Sequence, residues 1–240
     1  MQNRSHLSVL IHSQAKKYGN RTALVRQDFG GSKWTNVSWN QFSANVKKVS
    51  NALLALGLKP QDKIAVFSQN CAEYLYTDFG AYGIRVVSIP FYATTSGQQV
   101  QYMVNDASVR LVFVGEQEQY DKAHNIHSVC PALERISVFD LKLGEDLPHE
   151  REVEALWKEA NDDDLCNILY TSGTTGDSKG VMLTYGQYAA ALKANDECVP
   201  LTEKDRVIDF LPFTHIFERG WAYLAISEGC TLIVNTDPHK

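Results

Sequence analysis

From Ile168 to Thr184 the chain reads Ile-Leu-Tyr-Thr-Ser-Gly-Thr-Thr-Gly-Asp-Ser-Lys-Gly-Val-Met-Leu-Thr. An apolar run enters a stretch of hydroxyls and glycines, and a second short β-prone run, Val181 to Leu183, leaves it. Phosphate is the natural guest of such a loop. Gly173, Gly176 and Gly180 permit tight turns and bring backbone N–H groups close to an anion. Thr171, Ser172, Thr174 and Thr175 add hydroxyl donors, and Lys179 adds a mobile positive charge. The Walker phosphate loop needs a lysine followed at once by Ser or Thr, whose hydroxyl holds Mg²⁺. Lys179 follows Ser178 and precedes Gly180, so that reading fails. Nor does a helix begin where the loop ends, because Thr184 and Gln187, spaced as a capping box, place its start later. A flexible Gly/Thr hairpin is the plainer account, and it leaves many specified positions unexplained.

A second informative stretch is Leu211-Pro212-Phe213-Thr214-His215-Ile216-Phe217-Glu218-Arg219. Taken alone, it says that a strand breaks at Pro212 and delivers a histidine to the start of a helix, and a lone histidine is more often structural than catalytic. Beside the first stretch it gains meaning. Tyr170 to Val181 resembles the signature loop of the adenylate-forming enzymes, the superfamily of acyl-CoA synthetases, luciferases and peptide-synthetase adenylation domains, and matches it apart from Ser178, where Pro is commoner. The stretch around His215 resembles the same family's next signature, and its Phe217-Glu218-Arg219 ending is similar to the long-chain fatty acyl-CoA synthetase branch.

The resemblance covers nearly all of the chain and implies the N-terminal part of the adenylate-forming fold. It implies that a carboxylate, with a fatty acid the leading substrate class, attacks the α-phosphate of ATP to give an acyl-adenylate and pyrophosphate, after which coenzyme A displaces AMP. On that pattern Ser172, Gly173, Thr174, Thr175, Gly176, Lys179 and Gly180 meet the β- and γ-phosphates, Thr171 stands by Mg²⁺, and His215 stands at the carboxylate end. The family's later signatures, a Tyr-Gly-x-Thr-Glu run, a Thr-Gly-Asp and a lysine from a mobile C-terminal domain, are not found downstream of Arg219. The expectation is therefore an N-terminal portion of the AMP-binding domain, inactive by itself, weak in nucleotide binding, and carrying a cut sheet edge that favours self-association.

The elements that must position these residues follow from periodicity and caps. A first helix is expected over residues 5–17, a strand at 22–26, a Gly30-Gly31 turn and a strand through Trp34 and Val37. Ser38 and Gln41 form a capping box ahead of Phe42, Val46, Val49, Leu53 and Leu56, and Gly57 with Pro60 ends that helix. Strands at 63–68, 86–90, 110–114 and 136–139 alternate with helices at 72–82, 96–105 and 117–129, and a helix is expected near 153–160. After the loop come a helix at 185–196 and strands at 207–211 and 232–234. This alternation argues for an α/β fold, a mainly parallel sheet flanked by helices on both faces. Asp78-Phe79-Gly80 looks superficially like the metal-binding tripeptide of protein kinases, but the kinase glycine and catalytic loops are absent and a core-facing Phe79 is the better account. His124 and His127 have no further ligands at metal spacing and read as surface or capping histidines.

Composition narrows the partners. The net charge of −5 argues against nucleic acid. Residues 140–164 hold ten Asp/Glu against three Lys/Arg, a solvated run that marks a candidate seam between subdomains and leaves the rest of the chain near neutral. Five widely spaced cysteines fit reduced thiols and a cytoplasmic setting. Neither a secretory signal nor a membrane span is visible, and peripheral membrane contact is compatible with the sequence. Two other readings stand beside the ligase: a non-catalytic interaction domain that keeps the loop as scaffold, and adenylation of an aryl or amino acid. An NTPase or kinase is disfavoured by the absent Walker pair.

Overall fold

In the computed structural model, residues 6–27, 33–139, 149–171 and 177–236 are described. Two sheets organise them. The larger has six strands in the order β6-β5-β3-β4-β7-β8, formed by β3 (Lys63–Ser68), β4 (Val87–Tyr92), β5 (Leu111–Val114), β6 (Arg135–Val138), β7 (Leu165–Thr171) and β8 (Lys179–Thr184). Its pairings are parallel except β7 with β8. The strands are short and apolar on alternate faces, so each face needs its own cover. Ile64 and Val66 turn to one core with α3 (Ala72–Gly83), while Ala65 and Phe67 turn to a second core with α4 (Gly97–Asp106) and α5 (Gln117–Ile126).

The smaller sheet, β2-β1-β10-β9, joins the two ends of the described chain. β1 (Thr22–Gln27) pairs antiparallel with β2 (Trp34–Ser38) and parallel with β10 (Thr231–Val234), which pairs parallel with β9 (Arg206–Asp209). Helices α1 (Leu10–Tyr18), α2 (Trp39–Ala55), α6 (Glu150–Glu159), α7 (Tyr185–Cys198) and α8 (Ile216–Glu228) complete the architecture. Leu24, Val207 and Leu232 of the smaller sheet share one core with Phe42 of α2, Phe79 of α3 and Tyr223 of α8.

The capping boxes at Ser38/Gln41 and Thr184/Gln187 form as the spacing predicts, and a third forms at Ser96/Gln99. The first helix starts later than residue 5, because Ser8 hydrogen-bonds His6 Nδ1 (2.8 Å) and Val9 at the helix start offers no side-chain acceptor. β9 stops at Asp209, short of residue 211, because the next N–H, that of Phe210, is taken by Glu218 Oε1 (3.2 Å). Phe79 is core, and His124 is exposed and stacks on Tyr120. The Gly30-Gly31 turn lies outside the described residues. The acidic run is only partly a solvated face: Asp164 and Glu159 pair with Arg85 (2.8 and 3.2 Å), while Val153 is buried and Trp157 stacks on His12. Strands from both sides of this run share the larger sheet.

Candidate active site

The loop-bearing strands are neighbours. β7 and β8 pair antiparallel from Leu165↔Thr184 to Thr171↔Lys179, so the intervening loop closes a β-hairpin. Gly180 stands opposite Tyr170, where a Cβ would lie 2.8 Å from Ile168 Cγ2 and 3.3 Å from the Tyr170 ring. Only glycine lets the strands approach this closely. Tyr170 is fixed from the other side, its hydroxyl donating to Asp106 Oδ2 (2.6 Å) on α4. Burial, with Asp106 adding to it, pushes that phenol far above its ordinary range, so it stays a donor. Thr171 is exposed, and its Oγ1 makes only a long 3.5 Å bond to Lys179 O. Lys179 is exposed at the first position of β8. Residues 172–176 lie outside the described residues, so the expected roles of Ser172, Gly173, Thr174, Thr175 and Gly176 stay with the sequence.

A cavity of about 580 Å³ opens at the C-terminal ends of β4 and β7, where open α/β sheets receive ligands. Thr171 and Ser178 line it from the hairpin, Thr94 and Thr95 from the chain after β4, and Thr214 and His215 from the approach to α8. The two stretches that the sequence singles out meet here, and no carboxylate lines the cavity among the described residues. Thr214 Oγ1 is buried without a hydrogen-bond partner, a polar atom without the bond such burial normally requires. His215 is the exposed N-cap of α8, and its Nδ1 accepts the Phe217 N–H (3.2 Å). With Nδ1 so engaged, the neutral ring carries its proton on Nε2, a donor suited to an anion. A second cavity of about 280 Å³ between α7 and α8 is apolar, lined by Tyr188, Leu192, Trp221 and Leu224, and shares Leu183 and Ile216 with the first.

The turn that carries His215 is held from beneath. Asn70 donates to Leu211 O (2.6 Å) and accepts the Phe213 N–H (2.9 Å). Arg219, 1% exposed, donates through Nε to Phe213 O (2.9 Å) and through Nη1 to Asp78 Oδ2 (2.5 Å), with Asp78 equally buried. Burial, the largest single influence, works against the guanidinium charge, but Asp78 together with Tyr223, Tyr82 and Tyr74 outweighs it and Arg219 stays protonated. Removing one partner of such a pair leaves an uncompensated buried charge, at a cost of about 3–5 kcal/mol. Beside it, Asp209 is wholly buried with its carboxyl against that of Glu218. Burial and then the Glu218 carboxylate raise Asp209 well above the usual carboxylate range.

The sequence profile of the AMP-binding enzyme family matches residues 11–240. This chain belongs to that family. Among curated relatives of the AMP-binding chain, it is 26% identical to the long-chain-fatty-acid–CoA ligase ACSBG1 of Rattus norvegicus over 234 residues, covering 86% of this chain and 31% of the relative. It is 29% identical to fatty acyl-CoA synthetase B of Dictyostelium discoideum over 227 residues, covering 85% and 34%. The chain thus spans about a third of the length of these relatives. Among solved structures, the inhibitor-bound N-terminal domain of FACL13 from Mycobacterium tuberculosis superposes with a TM-score of 0.81 at 19% identity, over 97% of this chain and 57% of that one. The long-chain-fatty-acid–CoA ligase FadD1 of Archaeoglobus fulgidus gives 0.79 at 19%, over 97% and 47%. These likenesses establish the fold, an α/β architecture of mixed, mostly parallel sheets flanked by helices.

Sequence reasoning missed Thr94, Thr95, Thr214, Asn70 and the Asp78–Arg219 pair of this AMP-binding fold. The threonine pair had a local signal, two hydroxyls ahead of the Ser96 cap. The ion pair had none, since its partners stand 141 residues apart.

Proposed function

We propose that this chain forms part of an enzyme that activates a carboxylic acid with ATP, giving an acyl-adenylate and pyrophosphate and then an acyl-CoA thioester and AMP. The observation that carries the reading is the convergence of the hairpin loop's ends and His215 on one cavity that no carboxylate lines among the described residues. Residues 172–176, Lys179 and Gly180 are assigned to the nucleotide's β- and γ-phosphates. The N–H, hydroxyl and ammonium donors of this stretch are the groups that charge developing on a departing pyrophosphate calls for. His215 Nε2–H is assigned to the acid's carboxylate, which it orients toward the α-phosphate.

A long-chain fatty acid is the proposed substrate class. One curated relative named above is a long-chain-fatty-acid–CoA ligase and the other a fatty acyl-CoA synthetase, and the apolar cavity between α7 and α8 adjoins the polar one, so an alkyl chain could lie in the first with its head in the second. Mg²⁺ would arrive on the nucleotide. Thr171 offers it one hydroxyl oxygen, and among the described residues no group of three His, Cys, Asp or Glu gathers to hold a metal by itself. The chain is read as the N-terminal portion of the AMP-binding domain, with the seam near residues 140–164, and the 240 residues alone as inactive. A cytoplasmic setting is kept as part of the proposal; no helix among the described residues is long and apolar enough to cross a membrane.

The test is ATP–pyrophosphate exchange by the full-length product of the gene across fatty, aryl and amino acids. Exchange with fatty acids, lowered about 10²–10⁴-fold by Lys179→Ala and by His215→Ala, is the expected result. Exchange with aryl or amino acids instead would move the substrate class. No exchange with any acid would favour the interaction-domain reading.

A further inference from the structure

Arg219 sits at the centre of a buried polar network whose members come from three segments. Its Nη1 donates to Asp78 Oδ2 (2.5 Å) and to Tyr223 OH (2.7 Å), with Tyr82 OH at 3.3 Å. Asp78 is fixed in turn, its Oδ1 accepting from Ser88 Oγ on β4 (2.6 Å). Tyr82 OH donates to Asn167 Oδ1 (3.0 Å), and Asn167 Nδ2 donates to Ser88 O (2.7 Å). Asn167 lies on β7, whose last residue is Thr171 at the mouth of the loop. At the other end, Arg219 Nε holds Phe213 O (2.9 Å), just before Thr214 and His215. An unbroken set of hydrogen bonds thus runs from the loop-bearing strand to the His215 turn, beneath the cavity that both line.

Apolar side chains would fill this volume as stably, since a buried ion pair is rarely better than well-packed hydrocarbon. What hydrocarbon cannot do is fix direction. A planar guanidinium bound on several edges sets the angle as well as the distance of each partner. We propose that Arg219, anchored by Asp78 and tied through Tyr82 to Asn167, is a positioning residue that holds the His215 turn in fixed register with the phosphate-loop strand. This rests on the adenylation reading given above. Arg219 touches no reacting group; it acts through His215. Lysine in its place keeps the charge but has one nitrogen in place of the two that bond Phe213 O and Asp78, and loses the planar fork that sets their angle.

The experiment uses the full-length enzyme. Exchange kinetics are measured for Arg219→Lys in the native and His215→Ala backgrounds, with Tyr82→Phe as a milder variant that cuts the link to Asn167 and leaves the ion pair intact. An ångström of misplacement is worth on the order of 10²-fold. Arg219→Lys should therefore lower kcat about 10- to 100-fold with the KM for ATP within about 3-fold. In the His215→Ala background the same change should cost less than about 3-fold, because residues acting as a unit are not additive. Tyr82→Phe should show the same pattern at roughly 3- to 10-fold, and it decides the matter if Arg219→Lys does not fold. Equal losses in both backgrounds, or a change in KM alone, would overturn the proposal. If the native enzyme exchanges with no acid, the adenylation reading fails separately. The imidazole NMR signals of His215 then decide: shifts in both variants keep the positioning role, and unchanged signals remove it.

Discussion

Lowering the pH should weaken this fold through one buried imidazole. His12 is 7% exposed on α1, its Nδ1 hydrogen-bonded to Ser43 Oγ (2.6 Å) and its ring stacked on Trp157 at 4.3 Å. Burial first, and then Lys47 and Lys16, lower its pKa from 6.5 to about 4. The folded state thus prefers the neutral ring. Well above pH 6.5 neither state holds the proton, and the full stability is present. As pH falls, the unfolded chain takes up the proton first, and stability is lost until the folded ring also protonates near pH 4. At about 1.4 kcal/mol per pKa unit, the complete loss is about 3 kcal/mol, and about 2 kcal/mol of it falls between pH 7 and 5. Urea unfolding of the 240-residue chain at both pH values, in the native sequence and in His12→Gln, isolates this contribution, because every other titrating group is common to both. The native chain should lose about 2 kcal/mol more than the variant on going to pH 5. Equal losses would refute the assignment of the neutral ring to the fold.

Asp209→Asn should have the opposite pH signature. A carboxyl whose pKa is raised by folding stabilises most below its unfolded value and loses that contribution as pH rises through the folded value, so the amide should gain over the native chain as pH climbs above 4. A gain of about 1–2 kcal/mol in urea unfolding at pH 7 is expected, and no dependence of the gain on pH would refute it. Gly180→Ala should push β8 away from Ile168 and Tyr170 and weaken ATP binding by the full-length enzyme about 10-fold or more by calorimetry; unchanged affinity would detach the hairpin's closeness from the loop's work. β8 exposes Val181 and Met182 on an edge strand, and concentration-dependent self-association of the 240-residue chain is expected in sedimentation velocity. Met182→Lys should abolish it, and a concentration-independent monomer would remove the prediction.

Much of the fold could be read locally. Ser38/Gln41, Ser96/Gln99 and Thr184/Gln187 each announce a helix within a few residues, because a cap and its reciprocal partner are a short-range device. The two stretches that meet at the candidate cavity stood out for a different reason: one concentrates glycine, hydroxyl and lysine, and the other sets a histidine at the start of a helix. What lies between them was not legible. Asp78 on a helix rich in apolar and aromatic residues, Arg219 inside a signature stretch and Asn167 in a strand each look like isolated polar residues until the fold brings them together. Polar satisfaction in a core is a property of three-dimensional neighbours, and a single sequence carries no local trace of it.

The closure of the smaller sheet bears on how the polypeptide is made. Thr231 Oγ1 donates to Thr22 O across 209 residues of chain, and β10 inserts between β1 and β9. At roughly 5–20 residues per second, a ribosome takes about 10–40 s to reach β10 after releasing β1. During that interval the β1–β2 hairpin has no parallel neighbour, while the elements of the larger sheet emerge in between. Contacts this distant in sequence also form late in any folding reaction. The larger sheet is thus set to condense first, with the smaller sheet closing last as a clasp. In the nascent chain, Leu24 and Val25 on the waiting strand are the surface a holding chaperone would shield.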